Sequence, residues 1–197
     1  IIATTNSCSL VIAWIVTHYP AGWLTGLVAL IAGLLAAALI GLANGLLIAK
    51  VRVSPILATL GMMTLLKGAN ILLTGGSAIA GYPDWVLWLN SAQTLGIPAS
   101  LWLFAAIAAL LWVFLSDSVP GRSVYRIGAN ERASAYSGIN TRRILILTYI
   151  ISALLCAVAA FMMMSKLNSA KSSYGESYLL TSILAAVLGG VNPDGGT

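Results

Sequence analysis

The sequence predicts an all-α, polytopic membrane protein. Of its 197 residues, 59% are hydrophobic and 8% are charged, whereas soluble domains average roughly 45–50% and about 25%. Residues 1–49 and 85–116 contain no Lys, Arg, Asp or Glu, and each gap exceeds the about 20 apolar residues that a helix needs to cross a bilayer. A soluble enzyme, a disordered chain and a nucleic-acid-binding protein are therefore poor interpretations, because the chain lacks the charge to cover a water-facing surface.

Hydropathy and turn residues divide the chain into about five transmembrane spans. The predicted spans cover about 9–19, 23–49, 56–73, 101–115 and 144–164. A further apolar run, 178–190, is about 20 Å long as a helix and too short for a hydrocarbon core of about 30 Å, so it is predicted to be re-entrant or truncated. A short interfacial segment is expected around 85–89. We expect 1–197 to be one transmembrane domain and a fragment of a longer chain.

The distribution of positive charge predicts the orientation. Loops 50–55 and 116–143 carry seven of the ten Lys and Arg residues, while the turn 19–22 and the loop 74–100 carry none. Because cytoplasmic loops are enriched in Lys and Arg, the two basic loops are predicted to be cytoplasmic.

Small residues predict how the spans pack. They recur three or four positions apart in the second span, which gives one helix face smooth enough for close packing: Gly26, Ala29, Gly33, Ala37, Gly41 and Gly45. Cys8 and Cys156 both lie in apolar runs and are expected to be buried thiols rather than a disulfide.

Residues for catalysis are scarce. His18 is the single histidine and lies at a predicted helix end, the five carboxylates are scattered over loops, and no lysine completes a phosphate-binding Gly-x-x-x-x-Gly-Lys-Ser/Thr motif. The sequence therefore predicts no catalytic residue, no metal site and no cofactor, and any ATP hydrolysis belongs to another subunit.

Polar residues inside the spans are more informative. Lys67 lies near the middle of the third span, where a charge is costly, so it either extends to the interface or lines a polar pathway. Amide and hydroxyl groups in spans can join helices or face a translocation path. The candidate path residues are Asn44, Thr59, Lys67, Asn70 and Asn168.

A short helix is predicted within the cytoplasmic loop, at about 130–138. Asn130 is a suitable N-cap, Glu131 favours the helix N-terminus, and Gly138 is a typical C-terminal stop. Pro120 and its neighbours are predicted to end the preceding span. The short helix is either a solvated surface or a docking helix for a partner, in which case the contact residues are Asn130, Glu131, Arg132, Ala133, Ser134, Ala135 and Gly138.

Several motifs together resemble one transporter family. They are Gly41-Leu42-Ala43-Asn44-Gly45, Pro55 to Gly61, Lys67-Gly68, Pro120-Gly121-Arg122, Ile127 to Glu131, Ser137 to Asn140, Leu167 to Ala170 and Val187 to Gly190. In order and spacing this set resembles the permease subunit of ribose-type monosaccharide ABC importers. Leu179 and Thr181 stand where many relatives have acidic residues, so the resemblance does not carry over the identity of the sugar.

The resemblance implies a multi-pass subunit of the bacterial inner membrane. Its implied partners are a second permease copy or homologue, two cytoplasmic ATPase domains, a periplasmic sugar-binding protein and the lipid bilayer. Two other functions remain open from the residues alone, namely an ion-coupled secondary transporter and a non-transporting membrane scaffold.

Overall fold

A computed structural model describes residues 2–18, 22–82, 86–87, 93–94, 96–172, 174 and 176–190. Its helices are α1 (Ile2–His18), α2 (Trp23–Ala49), α3 (Pro55–Thr74), α4 (Ala99–Asp117), α5 (Val119–Ala129), α6 (Glu131–Tyr136), α7 (Thr141–Leu167) and α8 (Glu176–Leu188). The described residues also form four two-residue strands: β1 (Ile79–Ala80), β2 (Gln93–Thr94), β3 (Ile97–Pro98) and β4 (Ser169–Ala170). β1 pairs with β4 and β2 with β3, both antiparallel.

The helices confirm a polytopic α-helical membrane protein. In the described part of the chain, α2, α3, α4 and α7 are long and apolar enough to cross a bilayer, and α1 is a shorter apolar helix of 17 residues. α8 has 13 residues, as expected for the short last segment. The segment expected at 85–89 lies largely outside the described residues, which there include only Val86 and Leu87.

The first helix begins earlier than the sequence predicts, at Ile2 rather than near residue 9. The prediction was wrong because the polar residues at its start lower the hydropathy, yet they are buried and hydrogen-bonded. Asn6 Nδ2 donates to the carbonyl of Ser172 at 2.6 Å, and Ser9 Oγ donates to the carbonyl of Asn6 at 2.8 Å. α1 is thus a buried helix that contacts α2, α3 and α7.

Glycines allow α2 to approach its neighbours closely. A Cβ built at Gly41 would lie 2.7 Å from the carbonyl oxygen of Tyr149 and 2.8 Å from the Cβ of Ala153 on α7. The predicted small-residue face is therefore buried: Gly26, Ala29, Gly33, Ala37, Gly41 and Gly45. Cys8 and Cys156 are free, buried thiols, as predicted, and Cys8 lies in a buried cluster with alanines of α2 and α7.

The two ends of the helix bundle differ in charge. At one end Gly45 of α2 contacts Ile146 near the start of α7, so the basic loops 50–55 and 116–143 lie at this end. At the other end β1 pairs with β4. The predicted grouping of the loops is thus also their grouping in space, and we refer to the second end as the strand end.

The segment that follows α4 is more helical than a polar loop. α4 ends at Asp117, before Pro120, and Ser118 Oγ accepts a 3.0 Å hydrogen bond from the backbone N–H of Gly121. Pro120 thus belongs to the first turn of α5, where its missing N–H costs nothing. The turn is so tight that a Cβ at Gly121 would lie 2.6 Å from the Cα of Leu115. The expected break at Pro120 is therefore corrected to Ser118.

Candidate functional site

A cavity of about 390 Å³ lies between α1, α2, α3, α7 and α8. We call it the inner cavity. Its polar lining comes from one side chain or more on each helix: Thr4, Asn44, Thr59, Tyr149, Ser152 and Ser182. Its volume falls within the about 300–1,000 Å³ of ordinary small-molecule sites. The described residues that line it carry no charge.

Asn44 and Thr59, both predicted as path residues, are brought together at this cavity. Asn44 is 9% exposed, and among the described residues its Oδ1 has no hydrogen-bond partner. Buried polar atoms are nearly always paired, so an unpaired one calls for an explanation. Thr59 Oγ1 donates to the carbonyl of Pro55 at 2.8 Å, which leaves its oxygen able to accept a hydrogen bond.

Lys67 and Asn70 are placed elsewhere. Both line a separate space of only about 10 Å³, which is near the lower limit for one water molecule. Asn70 is buried and its Nδ2 donates to Ser7 Oγ at 3.0 Å. This hydrogen bond joins α3 to α1, which is one of the two roles that the sequence left open for Asn70.

Asn168 lies outside the inner cavity, at the C-terminus of α7. It is exposed, has the left-handed conformation with φ 49°, and its Oδ1 accepts a 3.1 Å hydrogen bond from the backbone N–H of Tyr82. This bond supports the adjacent pairing of β1 with β4. Burial raises the pKa of the Tyr82 phenol, and its hydroxyl donates to the carbonyl of Ile79.

A second cavity, of about 470 Å³, was not predicted. We call it the outer cavity, because Lys166 and Leu167, which line it, lie beside β4 at the strand end. Ser165 also lines it, is 3% exposed, and has no hydrogen-bond partner for its Oγ among the described residues. The sequence marks Ser165 only as a hydroxyl residue that follows three methionines, and this pattern is too weak to predict a site.

The predicted short helix is present as α6. Asn130 Oδ1 accepts a 3.0 Å hydrogen bond from the backbone N–H of Ala133, and Gly138 follows the helix with φ 81°. Glu131, Arg132, Ala133 and Ala135 are exposed. Ser134 is buried, so its side chain faces the protein rather than the surface.

Comparison with known proteins finds permease components of transport systems. The sequence profile of a family described as "Branched-chain amino acid transport system / permease component" matches residues 4–196. The chain is 37% identical over 174 residues to the ribose import permease protein RbsC of Escherichia coli K12. The aligned residues cover 86% of this chain and 54% of that protein. It is 38% identical over 155 residues to RbsC of Bacillus subtilis 168, with 78% and 48% covered.

A third relative is named for a different solute. The autoinducer 2 import system permease protein LsrD of Yersinia enterocolitica is 37% identical over 170 residues, with 83% of this chain and 51% of that protein covered. The chain thus spans about half the length of the curated relatives it matches. No solved structure matches the chain.

Proposed function

The chain belongs to the family of branched-chain amino acid transport system permease components, and we propose that it is part of the permease subunit of an ATP-driven importer for a monosaccharide. Its place is then the inner membrane of a bacterium. Support comes from the two relatives named for ribose import. The structural observation that carries the proposal is the unpaired Oδ1 of Asn44 in an uncharged cavity inside the helix bundle.

The inner cavity suits a neutral, hydroxyl-rich solute. A sugar hydroxyl can donate to Asn44 Oδ1 and satisfy it, while the hydroxyls of Tyr149 and Ser152 can donate or accept. Coupling to ions or protons ordinarily places Asp, Glu, Lys, Arg or His in the path, and the described lining of this cavity contains none of these five residue types. The cavity therefore favours a sugar over an ionic solute, and an ATP-driven importer over an ion-coupled one.

The energy for transport would come from partner subunits. The chain has no phosphate-binding loop of its own, so we assign ATP hydrolysis to two cytoplasmic ATPase domains. A second permease copy or homologue would complete the membrane part, and a periplasmic sugar-binding protein would deliver the solute. Alternating access requires helices that hold two arrangements around the site, and α2, α3 and α7 would be those helices.

We infer that α6 transmits movement from the ATPase. Its position between α5 and α7, at the basic end of the bundle, puts it outside the apolar spans. The exposed alanines Ala133 and Ala135 allow close approach of a partner, and the charges of Glu131 and Arg132 can select that partner. Of the seven residues predicted for this contact, the six other than Ser134 remain the proposed set, because the side chain of Ser134 is buried against the protein.

The test of the proposed function is uptake of D-ribose by the complete importer in proteoliposomes. We expect uptake to require ATP on the side of the liposome membrane where the ATPase domains lie. We also expect it to continue when ionophores dissipate ion gradients. Asn44→Leu should reduce uptake on the order of ten-fold, because one or two hydrogen bonds to the solute are lost. Thr64→Val is the matched control, since Thr64 is exposed on α3 and bonds only its own helix at Leu60 and Gly61.

Each alternative function predicts a different outcome of this uptake experiment. Uptake that follows an ion gradient and ignores ATP would indicate a secondary transporter. Failure of the complete importer to move any of a panel of pentoses and hexoses would favour a scaffold. Equal uptake by Asn44→Leu and the control at equal membrane abundance would remove Asn44 from the path.

A further inference from the structure

The outer cavity is built by the ends of several helices. The last turn of α7 supplies Lys166 and Leu167, the first turn of α4 supplies Ser100, and α8 supplies Tyr178. Thr5 of α1 completes the wall. These element ends lie on the strand side of the bundle, so the outer cavity is nearer to that surface than the inner cavity, whose lining includes Gly41 and Tyr149.

Ser165 is unusual among the helix hydroxyls. Ser and Thr side chains inside helices commonly donate to a carbonyl one turn earlier. Thr148 on the same helix does so, with Oγ1 2.8 Å from the carbonyl oxygen of Ile144. The Oγ of Ser165 is buried and has no such partner among the described residues. A buried hydroxyl is costly to leave unpaired, so a ligand in the cavity that it lines would relieve the cost.

The two cavities adjoin each other. Ile2 of α1 and Ser182 of α8 line both of them. These two side chains therefore lie where the cavities meet. A solute that leaves the outer cavity past them would enter the inner one, where Asn44 lies.

We propose that the outer cavity, around Ser165, is a second solute subsite in which a neutral polyhydroxylated molecule stops before it passes Ile2 and Ser182. This proposal rests on the proposed function for the direction of travel and the sugar class. The site offers hydroxyls from Ser100, Ser165 and Ser182 and the ammonium of Lys166 as a donor. Its exposed aromatic ring, Tyr178, can cover an apolar sugar face.

Cysteine labelling in the complete importer tests the site. Ser165→Cys is treated with a water-soluble, membrane-impermeant thiol reagent from the strand side, with unmodified protein as the blank. The matched control is Ser9→Cys, because Ser9 is also buried in a helix but bonds the carbonyl of Asn6 and lines neither cavity. We expect Ser165→Cys to react at least about ten times faster than the control, because thiol reactivity depends on access.

The same variant reports on occupancy. An excess of D-ribose should slow labelling of Ser165→Cys at least about three-fold, as bound ligand shields the thiol. An osmotically matched amount of glycine betaine, which carries no hydroxyl group, should not slow it. In uptake, Ser165→Ala should lose about five-fold because its hydroxyl is missing, whereas Ser165→Thr should retain transport.

The outcomes separate this proposal from the proposed function. Labelling as slow as that of Ser9→Cys, or fast labelling that D-ribose leaves unchanged, overturns the subsite even if unmodified importer takes up ribose. Fast labelling that D-ribose slows supports the subsite. Absence of ATP-dependent uptake in the unmodified importer counts against the proposed function alone.

Discussion

Asn70 on α3 donates a 3.0 Å hydrogen bond from Nδ2 to the Oγ of Ser7 on α1. Both side chains are buried. Ala58 and Asn70 are the residues of α3 that the rest of the described chain buries. α3 therefore has little apolar contact with the bundle, and this polar contact joins it to the buried helix.

Loss of the amide at Asn70 should loosen α3. We expect Asn70→Leu to destabilise the protein by about 0.5–2 kcal/mol, the range for hydrogen bonds between helices in membranes. The measurement is thermal unfolding of the detergent-solubilised full-length permease. Ser7→Ala should give a similar loss, and the double variant should lose less than the sum because both changes remove one bond. Additive losses would contradict a direct bond between the two side chains.

Two glycines form a matched pair for helix contact. A Cβ at Gly41 would be 2.9 Å from the Cα of Ile150 on α7, whereas a Cβ at Gly61 on α3 has nothing within 4 Å. We expect Gly41→Ala to cost about 1–3 kcal/mol through overpacking. Gly61→Ala should be neutral or stabilising, because alanine favours the helix. Equal thermal stability of the two variants would show that α2 and α7 do not pack this closely.

The orientation can be checked with two exposed serines at opposite ends of the bundle. Ser77 lies near the strand end and Ser137 directly follows α6. In a Cys8→Ala and Cys156→Ala background, an impermeant thiol reagent should label Ser77→Cys in spheroplasts and Ser137→Cys only after lysis. Ser137 is chosen rather than the nearby Ser134, because Ser134 is buried and a reagent would not reach it. Labelling of Ser137→Cys in sealed spheroplasts would reverse the topology.

Changes in α6 should uncouple transport without unfolding the permease. Ala135→Trp should obstruct the partner surface and Glu131→Lys should reverse one contact, so each should lose most uptake and most solute-stimulated ATP hydrolysis at normal membrane abundance. Ala80→Trp is the control, since Ala80 is exposed at the strand end. Normal coupling in both α6 variants would make α6 a solvated surface helix.

The stability of α6 should itself affect coupling to the partner. Asn130→Ala removes the side chain that accepts from the backbone N–H of Ala133, and loss of such a cap costs about 0.5–2 kcal/mol. With only six residues in α6, we expect faster amide hydrogen exchange in this helix and reduced coupling. Asn130→Ser, which can still cap, should restore both. Equal exchange in Asn130→Ala and the unmodified permease would show that the cap is dispensable.

Much of the fold follows from the sequence because lipid imposes simple rules. α2 has the predicted bounds 23–49, and α3, α4 and α7 differ from prediction by three residues or fewer at each end, since a bilayer demands long apolar helices with all backbone groups paired. The cap at Asn130 and the stop at Gly138 were also predictable, because both depend on local backbone geometry.

What only the tertiary structure decided is the partner of each polar group. The sequence set Asn44 and Asn70 in one class, since both are amides within apolar spans, yet Asn70 meets Ser7 while the Oδ1 of Asn44 faces no partner in the described chain. The start of α1 was missed for the same reason: Asn6 is accommodated by the carbonyl of Ser172, 166 positions away. Hydropathy measures the cost of moving a side chain from water, whereas the neighbour that offsets this cost comes from another helix.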